Sequence, residues 1–168
     1  FANPTKPIGS ELSAQQAEVG RIEHGWHVRE SADGTYRRVV GSPQPKAVLE
    51  TDSIRTLIDS GHIVIAAGGG GIPVRRDAAG WIPVDAVIDK DRASALLAAA
   101  AGLAELVLVT GVDNVAVRFG TPQQRSLHNV TADEMVRYQA AGEFPPGSMG
   151  PKVEAALRFL ENGGRAAV

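Results

Sequence analysis

Cysteine is missing from all 168 residues, which removes disulfide frameworks, thiolate zinc sites and cysteine nucleophiles together. Neither sign of charge dominates, with 17 Lys and Arg against 19 Asp and Glu for a net charge of −2. A nucleic-acid binder ordinarily carries a basic excess, and a membrane-surface protein a polybasic stretch, so no nucleic acid and no membrane are expected as partners. No apolar run approaches the ~20 residues needed to span a bilayer, and no charged segment followed by an apolar one opens the chain as a secretory signal would. Internal repeats and low-complexity tracts are absent too. The histidines at 24, 27, 62 and 128 lack the spacing of zinc ligands, so no metal-binding set is assigned. Ser148 has no His/Asp arrangement that would make it a hydrolase nucleophile. What remains is a chain with 43% hydrophobic and 21% charged residues, ordinary for a globular protein and long enough for one sizeable core.

Glycine is the residue in surplus: 19 of them, against an average usage of ~7%, with clusters at 68–71 and 147–150. They punctuate a readable order of elements. Pro4 and Pro7 forbid helix and imply a stiff extended loop at the start. Ser13 with Gln16 forms a capping box, opening a helix to about Glu23 that Gly25 stops. Two alternating runs, 26–29 and 36–40, flank Asp33-Gly34 and predict a hairpin. A short helix follows over 51–60, then Ile63-Val64-Ile65-Ala66-Ala67, which reads as a fully buried strand. A polar turn at 75–80 leads into Trp81–Val84. A helix is predicted from Asp89 to about Ala101, a strand over 106–109, and another short strand over 115–119. Thr131 with Glu134 makes a second capping box, opening a helix that Gly142 closes, and a last helix runs from Pro151 to about Glu161. Strands alternating with helices predict an α/β layer fold with a mainly parallel sheet. The chain opens Phe1-Ala2-Asn3 without methionine and stops inside the strand-like Arg165–Val168; the expectation is an interior piece of a longer protein.

Three places could carry chemistry. Gly68-Gly69-Gly70-Gly71 follows a strand signal, where open α/β sheets place ligands, and glycine lets backbone N–H groups approach phosphate oxygens. It matches neither of the familiar phosphate-binding glycine patterns, because Ile72-Pro73 follows it, and a plain tight turn explains it equally. At Asp89-Lys90-Asp91, Asp89 suits a helix cap and Asp91 a first turn, but Lys90 does not, since a cation at a helix N-terminus is disfavoured by ~0.3–1 kcal/mol. Either Asp91 holds Lys90, or a lysine from elsewhere, beside an anion, or Lys90 is simply solvated. Gly147-Ser148-Met149-Gly150-Pro151-Lys152 repeats the anomaly: free amides and a hydroxyl at a helix start, with a lysine in the first turn, suit a phosphate. A Gly-Pro turn before a surface helix is the blander alternative. Lys6, between prolines, is a third candidate cation, and Arg37-Arg38 a weaker one.

Five stretches, in order, resemble the carbamate kinase family: Asn3-Pro4-Thr5-Lys6-Pro7-Ile8-Gly9, Tyr36-Arg37-Arg38-Val39-Val40, Gly68–Gly71 with Ile72-Pro73-Val74, Val87-Ile88-Asp89-Lys90-Asp91, and Gly147–Lys152. The likeness runs over essentially the whole chain and extends, more distantly, to other amino-acid kinases. It implies a three-layer αβα sandwich with a mainly parallel sheet, the C-terminal part of the amino-acid-kinase fold. Residues 1–45 would include a small protruding loop, helix and hairpin subdomain covering the active site, and 46–168 would be an incomplete nucleotide-binding lobe. The implied activity is reversible phosphoryl transfer between ATP and carbamate, giving ADP and carbamoyl phosphate, with Mg²⁺, in a cytoplasmic homodimer serving arginine breakdown. By the same resemblance Lys6, Lys90 and Lys152 would bind phosphoryl oxygens and Asp91 would organise them. Gly68, Gly69, Gly70 and Gly71 would lie beside the phosphates, while Val112, Asp113, Ser148, Met149 and Gly150 would contribute to the nucleotide site. The family's N-terminal lobe with its Gly-Gly-Asn loop, and its closing strand and helix after Val168, are not in this sequence, so the chain alone is expected to be inactive. Gly111 stands where the family often has Asp, Ala116 where an aromatic is common and Arg118 where Asn is frequent. The alternatives kept open are a non-catalytic nucleotide-binding module and a kinase of the same superfamily with another acceptor.

Overall fold

A computed structural model describes residues 4–168; Asn3, the first residue of the first motif, lies outside the described residues. The chain divides into two compact units. One takes the residues up to Gln44 together with Gly71–Ile88, the other Pro45–Gly70 with Asp89–Val168. A single boundary near residue 45 therefore leaves out the return of 71–88 to the first unit.

In the first unit, β1 (Lys6–Leu12), α1 (Ala14–His24), β2 (His27–Glu30) and β3 (Tyr36–Val40) form a helix on an antiparallel sheet of order β1-β3-β2. The opening segment, expected as a loop, is thus a strand, with Lys6 opposite Val40 and Pro7 opposite Val39. It sits at the sheet's edge, the one place where prolines cost no ladder bond that matters. The Ser13 box is formed as expected, Gln16 N donating to Ser13 Oγ at 3.2 Å and Ser13 N to Gln16 Oε1 at 2.8 Å, and Gly25 closes α1 at φ 64°. At Gly20 a Cβ would overlap the Trp26 ring, so the helix can lie on that ring only because residue 20 has no side chain. Arg38 covers Trp26 from the sheet, its guanidinium 4.9 Å from the ring centroid, and reaches Asp85 at 2.6 Å. A second hairpin, β4 (Val74–Asp77) and β5 (Gly80–Pro83), completes this unit.

The second unit holds α2 (Thr51–Asp59), α3 (Lys90–Ala100), β6 (Glu105–Leu106), β7 (Ala116–Val117), β8 (Arg125–Ser126), α4 (Ala132–Ala140), α5 (Met149–Glu161) and β9 (Ala166–Ala167). Its parallel pairing is β6 with β9, extended by Leu108 N donating to Val168 O at 2.6 Å; β7 and β8 are antiparallel. The architecture is mixed α/β. The expected buried strand at 63–67 is corrected: it joins no ladder among the described residues, and Ile63 and Ile65 are each 98% exposed. A strand exists only through a neighbour for its N–H and C=O groups, and the described part of the unit supplies none. The strand expected over 115–119 stops at Val117, because Arg118 turns into the left-handed region at φ 52°.

The helix α5 organises the core. Ala155 and Phe159, one turn apart and both fully buried, face Ala95 and Ala98 of α3 and Leu106 of β6. Val153 and Leu157, on another stripe, pack with Val117, Leu127 and Phe144. Two stripes at four-residue spacing are what a helix flanked by apolar neighbours requires. The Thr131 box starts α4, with Glu134 N donating to Thr131 Oγ1 at 3.3 Å and Thr131 N to Glu134 Oε2 at 2.9 Å, and Gly142 follows it at φ 76°.

Candidate functional site

Two helix starts meet in the second unit. α3 begins under an Asp89 cap, whose Oδ1 accepts from Asp91 N at 3.0 Å. α5 begins at Met149, two residues before the expected Pro151, and Ser148 ahead of it offers no side-chain cap. The chain folds back tightly there, Gly150 N donating to Pro145 O at 2.9 Å, and a Cβ at Gly150 would come within 2.9 Å of that same carbonyl oxygen. Glycine at 150 is thus demanded by close approach.

Each helix puts a lysine in its first turn, against the dipole, and a single carboxylate accommodates both. Lys152 Nζ lies 3.3 Å from Oδ1 and 3.2 Å from Oδ2 of Asp91, and Lys90 Nζ lies 3.7 Å from Oδ2. The Asp91 side chain is 9% exposed, Lys152 17% and Lys90 60%. The Asp91 carboxylate lies between two ammonium groups and the buried Asp89 cap balances their remaining charge, so what the cluster offers an anion is the largely exposed Lys90 ammonium and the positive ends of two helix dipoles. Its chemistry is that of an anion receiver. No group of three or more His, Asp or Glu residues able to hold a metal occurs among the described residues.

Beside the cluster, Lys152 forms part of the wall of a cavity of about 360 Å³. Val112, Asp113 and Met149, expected at the nucleotide site, line it too, together with Thr110 and Asn114. A mostly apolar hollow with a few polar groups and a cation at its wall is the usual make-up of a small-molecule site.

The other expected residues fall elsewhere. Ser148 and Gly150 stand at the start of α5 but are not in the cavity wall. Gly68, Gly69 and Gly70 end the first segment of the second unit, and Gly71 begins the return to the first. Gly68, Gly70 and Gly71 have φ of 47°, 133° and 80°, and Gly70 N donates to Ala67 O at 2.7 Å, so the local structure is a turn. Lys6 lies on β1 in the first unit, half-buried. Ala116 and Arg118, departures from the family pattern, are not in the cavity wall. Sequence reasoning passed over Thr110 and Asn114, which lie within three residues of Val112-Asp113. It also passed over the Arg92–Glu154 ion pair, at 2.7 Å, since both are ordinary helix-surface types.

A family model described as the amino acid kinase family matches residues 7–168. The chain belongs to the amino acid kinase family. Curated relatives include a carbamate kinase-like protein of Escherichia coli, 50% identical over 170 residues, and carbamate kinase 3 of Staphylococcus aureus, 50% identical over 168. The match covers all of this chain and 54% of each of them, so the chain spans about half the length of the relatives it matches. Among solved structures, one from Aeropyrum pernix superposes with a TM-score of 0.93 at 43% identity, over 100% of this chain and 54% of its own. The Giardia lamblia carbamate kinase bound to AMP-PNP superposes at 0.90 with 39% identity, over 99% of this chain and 53% of its own. This member of the family therefore has that family's fold, and no helix among its described residues is long and apolar enough to cross a membrane.

Proposed function

We propose that this chain is the nucleotide-binding portion of a carbamate kinase, acting in the reversible conversion of ATP and carbamate to ADP and carbamoyl phosphate. In the direction of ATP formation, a terminal oxygen of ADP bonds to the phosphorus of carbamoyl phosphate. The bond from phosphorus to the carbamate oxygen breaks, and carbamate departs with the electron pair. A transferring phosphoryl group has a loose transition state with charge spread over its equatorial oxygens, so the protein's task is to position and neutralise. Lys90 and Lys152 would take phosphoryl oxygens, Asp91 would hold both ammonium groups in place, and Lys6 would supply a third. The segments Gly68–Gly71 and Ser148–Gly150, with Val112 and Asp113, would line the nucleotide site. Mg²⁺ would arrive on the nucleotide phosphates as part of the substrate.

The observation that carries this reading is the Lys90–Asp91–Lys152 cluster at two helix starts, one lysine of which lines an apolar cavity. Identity of 50% to carbamate kinase 3 of Staphylococcus aureus supports the acceptor, as does the likeness to a structure holding a nucleotide analogue. A cytoplasmic homodimer, with carbamoyl phosphate drawn from arginine breakdown, completes the proposal by the same likeness. The test joins this chain to the N-terminal portion of a relative and measures ATP formed from ADP, Mg²⁺ and carbamoyl phosphate. Turnover that collapses in Lys152→Ala is expected. Nucleotide binding without turnover would instead indicate a non-catalytic module, and turnover with another phosphoryl acceptor only would identify a different kinase of the family.

A further inference from the structure

The helix α3 is rich in alanine, and this leaves its position along α5 weakly determined by packing. Its buried residues include Ala93, Ala95 and Ala98, and the last two meet Ala155 and Phe159 of α5. Methyl groups make low ridges and shallow grooves, so apolar contact discriminates poorly between neighbouring axial positions. Ionic pairs across such an interface can specify register where packing does not.

Two of them cross it. One is Asp91 with Lys152. The other is Arg92 with Glu154, in which Nε at 3.2 Å and Nη2 at 2.7 Å both donate to Oε2. Arg158, one turn along α5, donates through Nε to Oε1 at 3.2 Å, so both oxygens of Glu154 are occupied. Arg92 and Glu154 are both about three-quarters buried, whereas each pair of the first unit has at least one largely exposed partner. The pairs are neighbours on both helices, residues 91 and 92 on one, 152 and 154 on the other. A slip of one residue moves a helix ~1.5 Å along its axis, enough to part Lys152 from Asp91.

We propose that Arg92 and Glu154 are a positioning pair that fixes α3 against α5 in the register that seats the Lys152 ammonium on Asp91. The inference rests on Lys152 being a phosphoryl-binding lysine. Its test therefore has one readout independent of catalysis: the rate at which an amine-reactive ester acylates Lys152 in this chain, followed by peptide mass spectrometry, with exposed Lys46 as internal control. The second readout is kcat and KM for ADP in the chain joined to a relative's N-terminal portion. Glu154→Gln should raise Lys152 acylation by about threefold or more while Lys46 is unchanged, a coupling of the size seen between contacting residues. It should lower kcat by about tenfold, equivalent to ~1.4 kcal/mol of transition-state stabilisation, and leave KM for ADP within about twofold. Arg92→Lys, which keeps the charge but loses the two-nitrogen grip, should act in the same direction more weakly, and it carries the test if Glu154→Gln does not fold. Lys152 acylation unchanged in both variants overturns the proposal. Faster acylation with parental kcat leaves the register role standing and overturns the catalytic reading of Lys152 instead.

Discussion

Lys152 and Asp91, 61 residues apart in the chain, are joined ammonium to carboxylate with both oxygens within 3.3 Å of Nζ. Removing only one partner leaves the other charge largely out of water. Lys152→Ala strands the Asp91 carboxylate, 9% exposed, with the Lys90 ammonium at the longer distance of 3.7 Å, and should cost ~1–3 kcal/mol of stability. Asp91→Asn combined with Lys152→Met removes both charges and should recover most of that loss, since paired removal spares the desolvation penalty. Urea unfolding of the two variants checks this; equal losses would mean that the pair contributes no mutual stabilisation.

Phe159 has no exposed surface, and Gly164 lies against its ring so closely that a Cβ at 164 would overlap it. The same glycine donates its N–H to the Phe159 carbonyl at 3.0 Å, so neither partner can move off without breaking the end of α5. Gly164→Ala should destabilise the protein by ~1–3 kcal/mol through overpacking. Gly163→Ala, one residue earlier, meets no neighbour but must adopt φ 100°, and its cost comes from backbone strain alone. Thermal melts with Phe159→Leu in each background separate the two, because trimming the ring relieves only the first.

Features that were legible in the sequence are those closed within a few residues. The boxes at Ser13 and Thr131, the stops at Gly25 and Gly142, and the hairpin around Asp33-Gly34 each depend on a side chain or a glycine acting on its own stretch of backbone. The run 63–67 was not legible in its outcome, because its apolar residues say that it wants a neighbour without saying where the neighbour is. Pro7 reads as a loop residue from sequence because whether a strand lies at an edge is decided by the rest of the sheet, whereas Pro4, ahead of β1, is indeed outside any strand. Asp91 and Lys152 left a trace since a lysine in a first helical turn opposes the dipole. Arg92 and Glu154 left none, and only the packing of α3 on α5 brings them together. Lys6 belongs to the other unit, and its role stays with the family likeness.

Arg118 is one of two non-glycine residues among those described with positive φ, at 52°. Its N–H donates to Glu143 Oε2 at 2.7 Å and its carbonyl accepts from Thr121 Oγ1 at 2.7 Å, so the loop is held in this shape from both sides. Left-handed backbone costs most L-residues ~1–2 kcal/mol, and asparagine tolerates it better. Arg118→Asn should therefore stabilise the protein by about 0.5–1 kcal/mol with both hydrogen bonds kept. An unchanged or lower urea midpoint would show that the Arg118 side chain offsets its own strain.

The Glu134 carboxyl is held below its ordinary value of 4.5, first by the Thr131 N–H and then by the Thr131 hydroxyl. A lowered folded-state pKa means that the unfolded chain binds the proton more readily. The contribution to stability is therefore present above about pH 4.5 and is lost as pH falls through the lower folded value. Thr131→Ala removes the hydroxyl, so the Glu134 titration followed by carboxyl NMR should move back towards 4.5. It should keep part of its depression, because the larger contribution, the backbone N–H, survives. Complete return to 4.5 would mean that the helix start itself had come apart.

Ile63 and Ile65 test the relation between this chain and the longer proteins it resembles. Both are almost wholly exposed and belong to no ladder among the described residues, although their pattern is that of a buried strand. In this chain, Ile63→Lys with Ile65→Lys should change unfolding free energy by no more than ~0.5 kcal/mol, as surface substitutions usually do. Light scattering should show less self-association, since an apolar unpaired run is a pairing template. In the chain joined to a relative's N-terminal portion the same double substitution should cost several kcal/mol, roughly the ~3 kcal/mol or more of burying an unpaired charge. A small effect in both settings would mean that the run stays at the surface throughout; a large effect in this chain alone would mean that 63–67 is already packed here.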